Sequence, residues 1–281
     1  MEDVPMTRDE TVEVSLSTWG SGTAPSRAAL AGGVVLKPGG PWAPAVLALL
    51  RHLEDVGFEA APKAVGDGYA ADGRMTLTYV PGESAHPSAW REDDVGRVGE
   101  LLRELHEATR SFCPPPSAAW QSTWLHDVGD SGELVVGHGD AAPWNIVGPN
   151  ASVEALIDWD FAGPVNRISE LAYAVWLNAQ LHDDDVAELQ GLPDAGTRAR
   201  HARLILDGYG LDRSRRSELV ERMIEVAVHA ARAEAVRAGV HPDSSQAIDN
   251  DGYPILWAIT WRARSASWMI RNRSLLLASV C

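Results

Sequence analysis

Lysine is almost missing from this chain. Of its 24 basic residues only Lys37 and Lys63 are lysine, and the other 22 are arginine. A position that keeps lysine against such a bias either needs a compact point charge in place of a planar fork or has kept it by chance. Cysteine is equally scarce: Cys113 and Cys281 are the only two, so no disulfide framework is indicated. Positive charge is short overall, with 24 basic against 39 acidic residues and a formal net charge of −15. That balance argues against nucleic acid or an anionic membrane as a partner, and would draw a cationic ligand if it does more than keep the chain soluble. No stretch approaches the ~20 consecutive apolar residues that span a bilayer. The opening MEDVPMTRDE is acidic where a secretory signal is basic and then apolar. The expectation is a cytoplasmic protein, with monomer or homodimer left open.

What is present is enough apolar residue, 45% of 281, to build two lobes with a core each. The first 81 residues read as β-rich with one long helix. TVEVSLS (11–17) alternates as a half-buried strand, and RAALA (27–31) and VVLK (34–37) follow across turns. PAVLALLRHLEDVGF then places Val46, Leu49, Leu50, Leu53 and Val56 at helical spacing, with Gly57 to stop the helix. PKAVGDG and RMTLTYV are two more strands, ending at Pro81-Gly82. From there to residue 281 the pattern is mainly helical, over roughly 93–109, 169–181, 197–209, 214–238 and 253–272. Trp257, Trp261 and Trp268 fall near one face of the last of these helices, and core packing explains them better than ligand stacking.

Between these helices lies GHGDAAPWNIV, residues 137–147, apolar at both ends like a buried hairpin yet carrying His138, Asp140 and Asn145 where a turn needs only small polar filler. SVEALIDWDFAG follows as a second short strand. A short turn between neighbouring strands brings Asp140, Asn145 and Asp158 to one side. A neutral amide oxygen and a carboxylate suit the hard oxygen coordination that Mg2+ prefers, leaving Asp140 to orient a hydroxyl and accept its proton.

His138-Gly139-Asp140, four residues, Asn145, then Ile157-Asp158 resembles the signature of the phosphotransferase-type kinases, the aminoglycoside phosphotransferases and choline-type kinases related to protein kinases. Leu105-His106 resembles the Leu-His these enzymes carry ahead of the catalytic loop. Ser169-Glu170-Leu171-Ala172 stands where they usually have Asp-Leu-Ala, so Glu170 departs from the pattern. The resemblance implies an α+β, bilobal, protein-kinase-like fold: a small β-rich N-lobe (1–81) that binds nucleotide and a larger, mainly helical C-lobe (82–281) that holds the catalytic and acceptor sites. It implies ATP and Mg2+ as cofactors, Asp140 as the catalytic base, and Asn145 and Asp158 as metal ligands. It further implies that Lys37 pairs with Glu54, seventeen positions on, to hold the phosphates. Adenine is expected against the backbone of Tyr79 and Val80. Gly20 and Gly22 of WGSG are candidates for the phosphate loop, although a plain hairpin turn reads the same way. His138 is expected to be structural.

The acceptor is then a hydroxyl-bearing small molecule. Asp160, Asp184 within the run 183–185, Asp249 and Asp251 are candidate carboxylates for a cationic one, such as an aminoglycoside or a basic cyclic peptide antibiotic. A housekeeping kinase of choline, an amino sugar or an amino alcohol would share every motif. Asp158-Trp159-Asp160 also spells the D-x-D of metal-dependent glycosyltransferases, which would leave the His-Gly-Asp motif unexplained. A non-catalytic pseudokinase would be expected to lack one of Lys37, Asp140, Asn145 and Asp158, and all four are present.

Overall fold

The computed structural model describes residues 12–13, 28–129, 133–248 and 252–281. Five strands form one antiparallel sheet: β1 (Val12–Glu13), β2 (Ala29–Ala31), β3 (Val34–Lys37), β4 (Ala64–Tyr69) and β5 (Met75–Thr78). Their spatial order is β1-β2-β3-β5-β4, so β3 is central and Lys37, its last residue, lies opposite Met75. Of the strand expected over 11–17, only Val12–Glu13 falls within the described residues.

Helix α1 (Ala43–Asp55) crosses this sheet and buries Ala43, Val46, Leu47, Leu49, Leu50 and Leu53, the face its spacing defined. It ends at the expected glycine, where Phe58 N–H donates to Leu53 O and Gly57 N–H to Glu54 O. Val56 therefore lies beyond the helix and is exposed.

The larger lobe is built from α2 (Glu92–Ala108), α3 (Arg167–Asn178), α4 (Asp184–Leu189), α5 (Ala195–Tyr209), α6 (Arg213–Arg237), α7 (Ile255–Arg271) and α8 (Arg273–Val280). Every residue of α3 from Ile168 to Asn178 is buried, so this helix forms the middle of the lobe. Helices α2 and α5 touch backbone to backbone at Gly99, where a Cβ would sit 1.9 Å from Ile205 O. The five helices expected from periodicity are present with ends within about three residues, the usual boundary uncertainty. The short helices α4 and α8 were not anticipated. In α4 the acidic run 183–185 is a helix start, with the Asp183 side chain accepting from the Asp184 N–H.

The embedded hairpin is differently connected from the sequence expectation. The apolar ends of GHGDAAPWNIV do not pair with each other. β6 (Leu134–Gly137) pairs with β9 (Gly163–Asn166), and β7 (Ile146–Val147) pairs with β8 (Ala155–Leu156). Two small ladders thus hold the two ends of the loop 138–145, leaving its polar residues free to face inwards. No helix among the described residues is long and apolar enough to cross a membrane.

Candidate functional site

The loop that follows β6 turns because Gly139 adopts a φ of 77°, and a side chain there would meet Phe161 O at 2.0 Å. Only glycine fits. His138, wholly buried, donates from Nε2 to Ile157 O (2.9 Å) and accepts the Asp140 N–H on Nδ1 (3.2 Å). Burial depresses its pKa, so it stays a neutral brace across the loop, the structural part expected of it. Glu170 braces the loop from behind. Its Oε1 accepts the Gly139 N–H (2.7 Å) and its Oε2 accepts from His106 Nε2 (2.7 Å), while Tyr209 donates to His106 Nδ1 (2.8 Å). Burial would push the Glu170 carboxyl up, but the His106 bond and the Gly139 N–H outweigh it and hold it below the ordinary value. Glutamate in place of the usual aspartate thus still reaches the loop, and Gly137 makes the room: a Cβ there would overlap Glu170 Oε2.

Asp140 is buried among three donors. Tyr173 OH donates to Oδ1 (2.6 Å), Asn145 Nδ2 to Oδ2 (2.9 Å), and Trp144 Nε1 approaches Oδ2 at 3.5 Å. Burial raises its pKa to about 7, against the lowering effect of the Tyr173 bond, and the nearby Asp158 charge adds to the rise. With its nitrogen committed to Asp140, Asn145 keeps Oδ1 as its acceptor.

Asn145 and Asp158 line one cleft, of about 640 Å³, below the sheet. Its upper wall is Val35, Lys37, Val46 and Leu77, and its floor includes Val147 and Ile157. Asp158 reaches the cleft from a left-handed backbone (φ 63°, ψ 66°), a conformation that costs a non-glycine residue about 1 kcal/mol and is found at functional sites. The Lys37 ammonium bonds to Asp158 Oδ1 and lies 3.0 Å from Asp160 Oδ2. Burial opposes its charge, yet the two carboxylates prevail and raise its pKa. The Asp160 carboxyl is pushed up, chiefly by burial, with the Lys37 charge opposing. Asp160 Oδ1 is buried without a hydrogen-bond partner.

Several expectations need correction. Glu54 does not pair with Lys37. It lies on the outer side of α1, exposed, and binds Lys63 at 3.2 Å, because the inward positions of that helix are all apolar. Asp160, expected at the acceptor, sits beside Asp158 in the cleft and is paired with Lys37. Asp184 is occupied as well: Arg198 Nη2 (3.2 Å) and Trp268 Nε1 (2.7 Å) share its Oδ1. Its neighbours Asp183 and Asp185 are bridged by Arg264, and Asp183 also by Arg271. Tyr79 and Val80 both line the cleft, but the Tyr79 N–H is already given to Gly33 O (3.0 Å). Gly20, Gly22, Asp249 and Asp251 lie outside the described residues. Sequence reasoning missed Tyr173, although it falls three residues after Glu170 and so shares that helix face. It also missed Trp144, whose place beside Asn145 was the available signal.

The donors at the cleft fit a hard divalent cation. They are all oxygen, from the Asn145 amide and the Asp158 and Asp160 carboxylates, and one buried carboxylate oxygen is unpaired. Among the described residues no group of three or more His, Cys, Asp or Glu could hold a metal alone. That suits Mg2+, which usually takes one or two carboxylates and completes its shell with phosphate oxygens and water.

Fold and site together define a small-molecule phosphotransferase, and the chain belongs to the phosphotransferase enzyme family, whose model matches residues 117–206. It is 47% identical over 268 residues to the trifolitoxin immunity protein of Rhizobium leguminosarum bv. trifolii, covering 95% of this chain and 98% of that one. Among solved structures it is similar to a choline/ethanolamine kinase family protein from Mesorhizobium loti (TM-score 0.60, 14% identity, 91% of this chain and 89% of the other). It is also similar to an amicoumacin kinase in complex with AMP-PNP, Ca2+ and Ami (TM-score 0.56, 14% identity, 86% and 82%). At such identities the likeness is one of fold, and it bears out the bilobal, kinase-like architecture.

Proposed function

We propose that the protein moves the γ-phosphate of ATP, with Mg2+, to a hydroxyl of a small toxic molecule, an antibiotic or antibiotic peptide, and so protects the cell that makes or meets it. The observation that carries this reading is the convergence of Lys37, Asn145, Asp158 and Asp160 on one cleft, with Asp140 hydrogen-bonded directly behind Asn145. The name of the 47% identical relative supports the toxic-molecule part. We place the junction of the two lobes at residue 81.

Each group then has a task. Val35, Leu77 and Ile157 offer apolar faces to the base, and the Val80 backbone meets its edge, since Tyr79 has spent its N–H. Lys37 supplies a point charge for the phosphates. Asn145, Asp158 and Asp160 would hold Mg2+, which when bound neutralises charge on the phosphates. Asp140 aligns the acceptor hydroxyl in line with the γ-phosphate and takes its proton late, because phosphoryl transfer depends on placement more than on a strong base. Glu170, through Gly139, keeps that carboxylate in place.

The test is mass spectrometry of trifolitoxin and a panel of hydroxyl-bearing antibiotics after incubation with the protein, ATP and Mg2+. A product heavier by one phosphoryl group, formed only with all components, is expected. Nucleotide binding without acceptor-dependent ATP consumption across the panel would sink the reading. The D-x-D alternative loses ground because the chain belongs to the phosphotransferase family, with Asp158 and Asp160 in the same cleft as Asn145.

A further inference from the structure

A second, smaller pocket of about 90 Å³ adjoins the cleft, and His86, Trp144 and Gln190 line both. Its other walls include Tyr253, Trp257 and Trp261, so four aromatic rings face one small space. Trp144 ties it to the chemistry, since its indole N–H points to Asp140. We propose that this pocket seats a single flat, uncharged aromatic or heteroaromatic ring of the acceptor, so that the molecule phosphorylated is an aromatic-bearing hydroxyl compound and not a polycation. The inference rests on the phosphotransferase reading of the adjoining cleft and names the substrate class for it.

Among the described residues no Asp, Glu, Lys or Arg lines the pocket, so none of them pairs with a cation there. The Arg262 guanidinium lies over the Trp261 ring at 4.8 Å, and Arg198 donates to His182 O at 2.7 Å just behind the wall. A cation entering here would compete with Arg262 for the face of Trp261. The wall histidines are neutral: burial depresses His86, and burial with the Arg198 charge takes His182 to about 3. Of the carboxylates that pointed to a polycation, the described ones, Asp160 and Asp184 with its neighbour Asp183, are bound to Lys37, Arg198, Arg264 and Arg271.

One polar feature gives direction to the site. Gln180 lines the pocket and is 3% exposed. It donates its amide N–H groups to Pro87 O and Ser88 O, while its Oε1 is buried with no partner. A buried acceptor left unpaired is unfavourable, so a ligand donor that reaches it on binding is favoured. A ring bearing an N–H or O–H, stacked on indoles, meets both needs.

The experiment uses the full chain and three probes of similar size: phenol, cyclohexanol and tetramethylammonium. Binding is read by saturation-transfer NMR, with AMP-PNP and Mg2+ titrated separately. Phenol should bind several-fold more tightly than the other two, and Trp257→Ala should weaken it about fivefold. Leu256→Ala, exposed on the same turn but outside the lining, should leave phenol binding unchanged. Preference for tetramethylammonium, equal binding of cyclohexanol, indifference to Trp257→Ala or no binding of phenol would each overturn the aromatic assignment. AMP-PNP binding shows that the Trp257 variant is folded. Its loss in the parent protein would count against the phosphotransferase reading instead, whatever the rings do.

Discussion

At the scale of single residues, Asp140 is tightly constrained. Three side chains donate towards it, and its carboxylate is nearly sealed from solvent. Asp140→Ala should lower kcat by about 10²–10⁴ with little change in AMP-PNP affinity, because a positioned base contributes that much to a proton transfer. Steady-state rates and a nucleotide titration check it, and near-normal turnover would remove Asp140 from the mechanism. Tyr173→Phe deletes the 2.6 Å bond to Oδ1 while keeping the ring packed between Trp124 and Trp176. A fall in kcat of about tenfold is expected, with KM for ATP unchanged, since the lost bond orients the carboxylate and touches no nucleotide. Equal losses in kcat and ATP affinity would mean the variant has disturbed the whole lobe. The Asp140, Asn145 and Asp158 triplet was legible in the sequence because the chain presents it in order and at fixed intervals. Tyr173 was not, since its partner lies 33 positions away.

At the scale of elements, α1 shows how a helix can carry a pattern and still assign its polar residues differently. Its apolar positions fixed which face packs on the sheet. Glu54 borders that face, but it leans outwards to Lys63, an exposed pair worth little. Glu54→Ala should therefore leave AMP-PNP affinity within about twofold. Lys37→Ala should weaken it at least about tenfold, since a buried ammonium facing two carboxylates is removed from the cleft. Comparable losses in the two variants, measured by calorimetry, would restore the Lys37–Glu54 pair. The loop ladders teach the same lesson. GHGDAAPWNIV carries strand signals at both ends, but strand partners are chosen across the fold, and each end pairs with a segment from beyond Asn150.

Across the whole molecule, buried neutral histidines set the response to acid. His182 titrates at about 3 in the folded protein, and His86, His126, His138 and His201 are also depressed, all chiefly by burial. The unfolded chain takes up these protons near 6.5, before the folded one does, so stability falls as pH drops from about 6.5 towards 3. Glu170, held below its usual value, loses its contribution at the acid end of that range. Asp140, raised to about 7, and Asp160, also raised, work the other way but are two groups against five histidines. Urea midpoints should therefore decline steadily between pH 7 and 5, and His182→Asn should flatten part of the decline. A midpoint that holds constant over that range would contradict this account.

The sequence by itself determined the class of protein. Helical periodicity placed six helices to within a turn, and the intervals within the His-Gly-Asp loop and on to the Ile157-Asp158 pair named the chemistry, because both depend on residues close along the chain. Tertiary structure alone decided which charges are spent and which remain. Asp160 belongs to Lys37, Asp184 to Arg198 and Trp268, and Glu54 to Lys63, and none of these pairings leaves a local trace. The acidic composition suggested a cationic acceptor, yet the pocket next to Asp140 is walled by rings with arginines behind them. Net charge is a sum over the surface, whereas a ligand meets only the few groups that folding leaves unpaired around it.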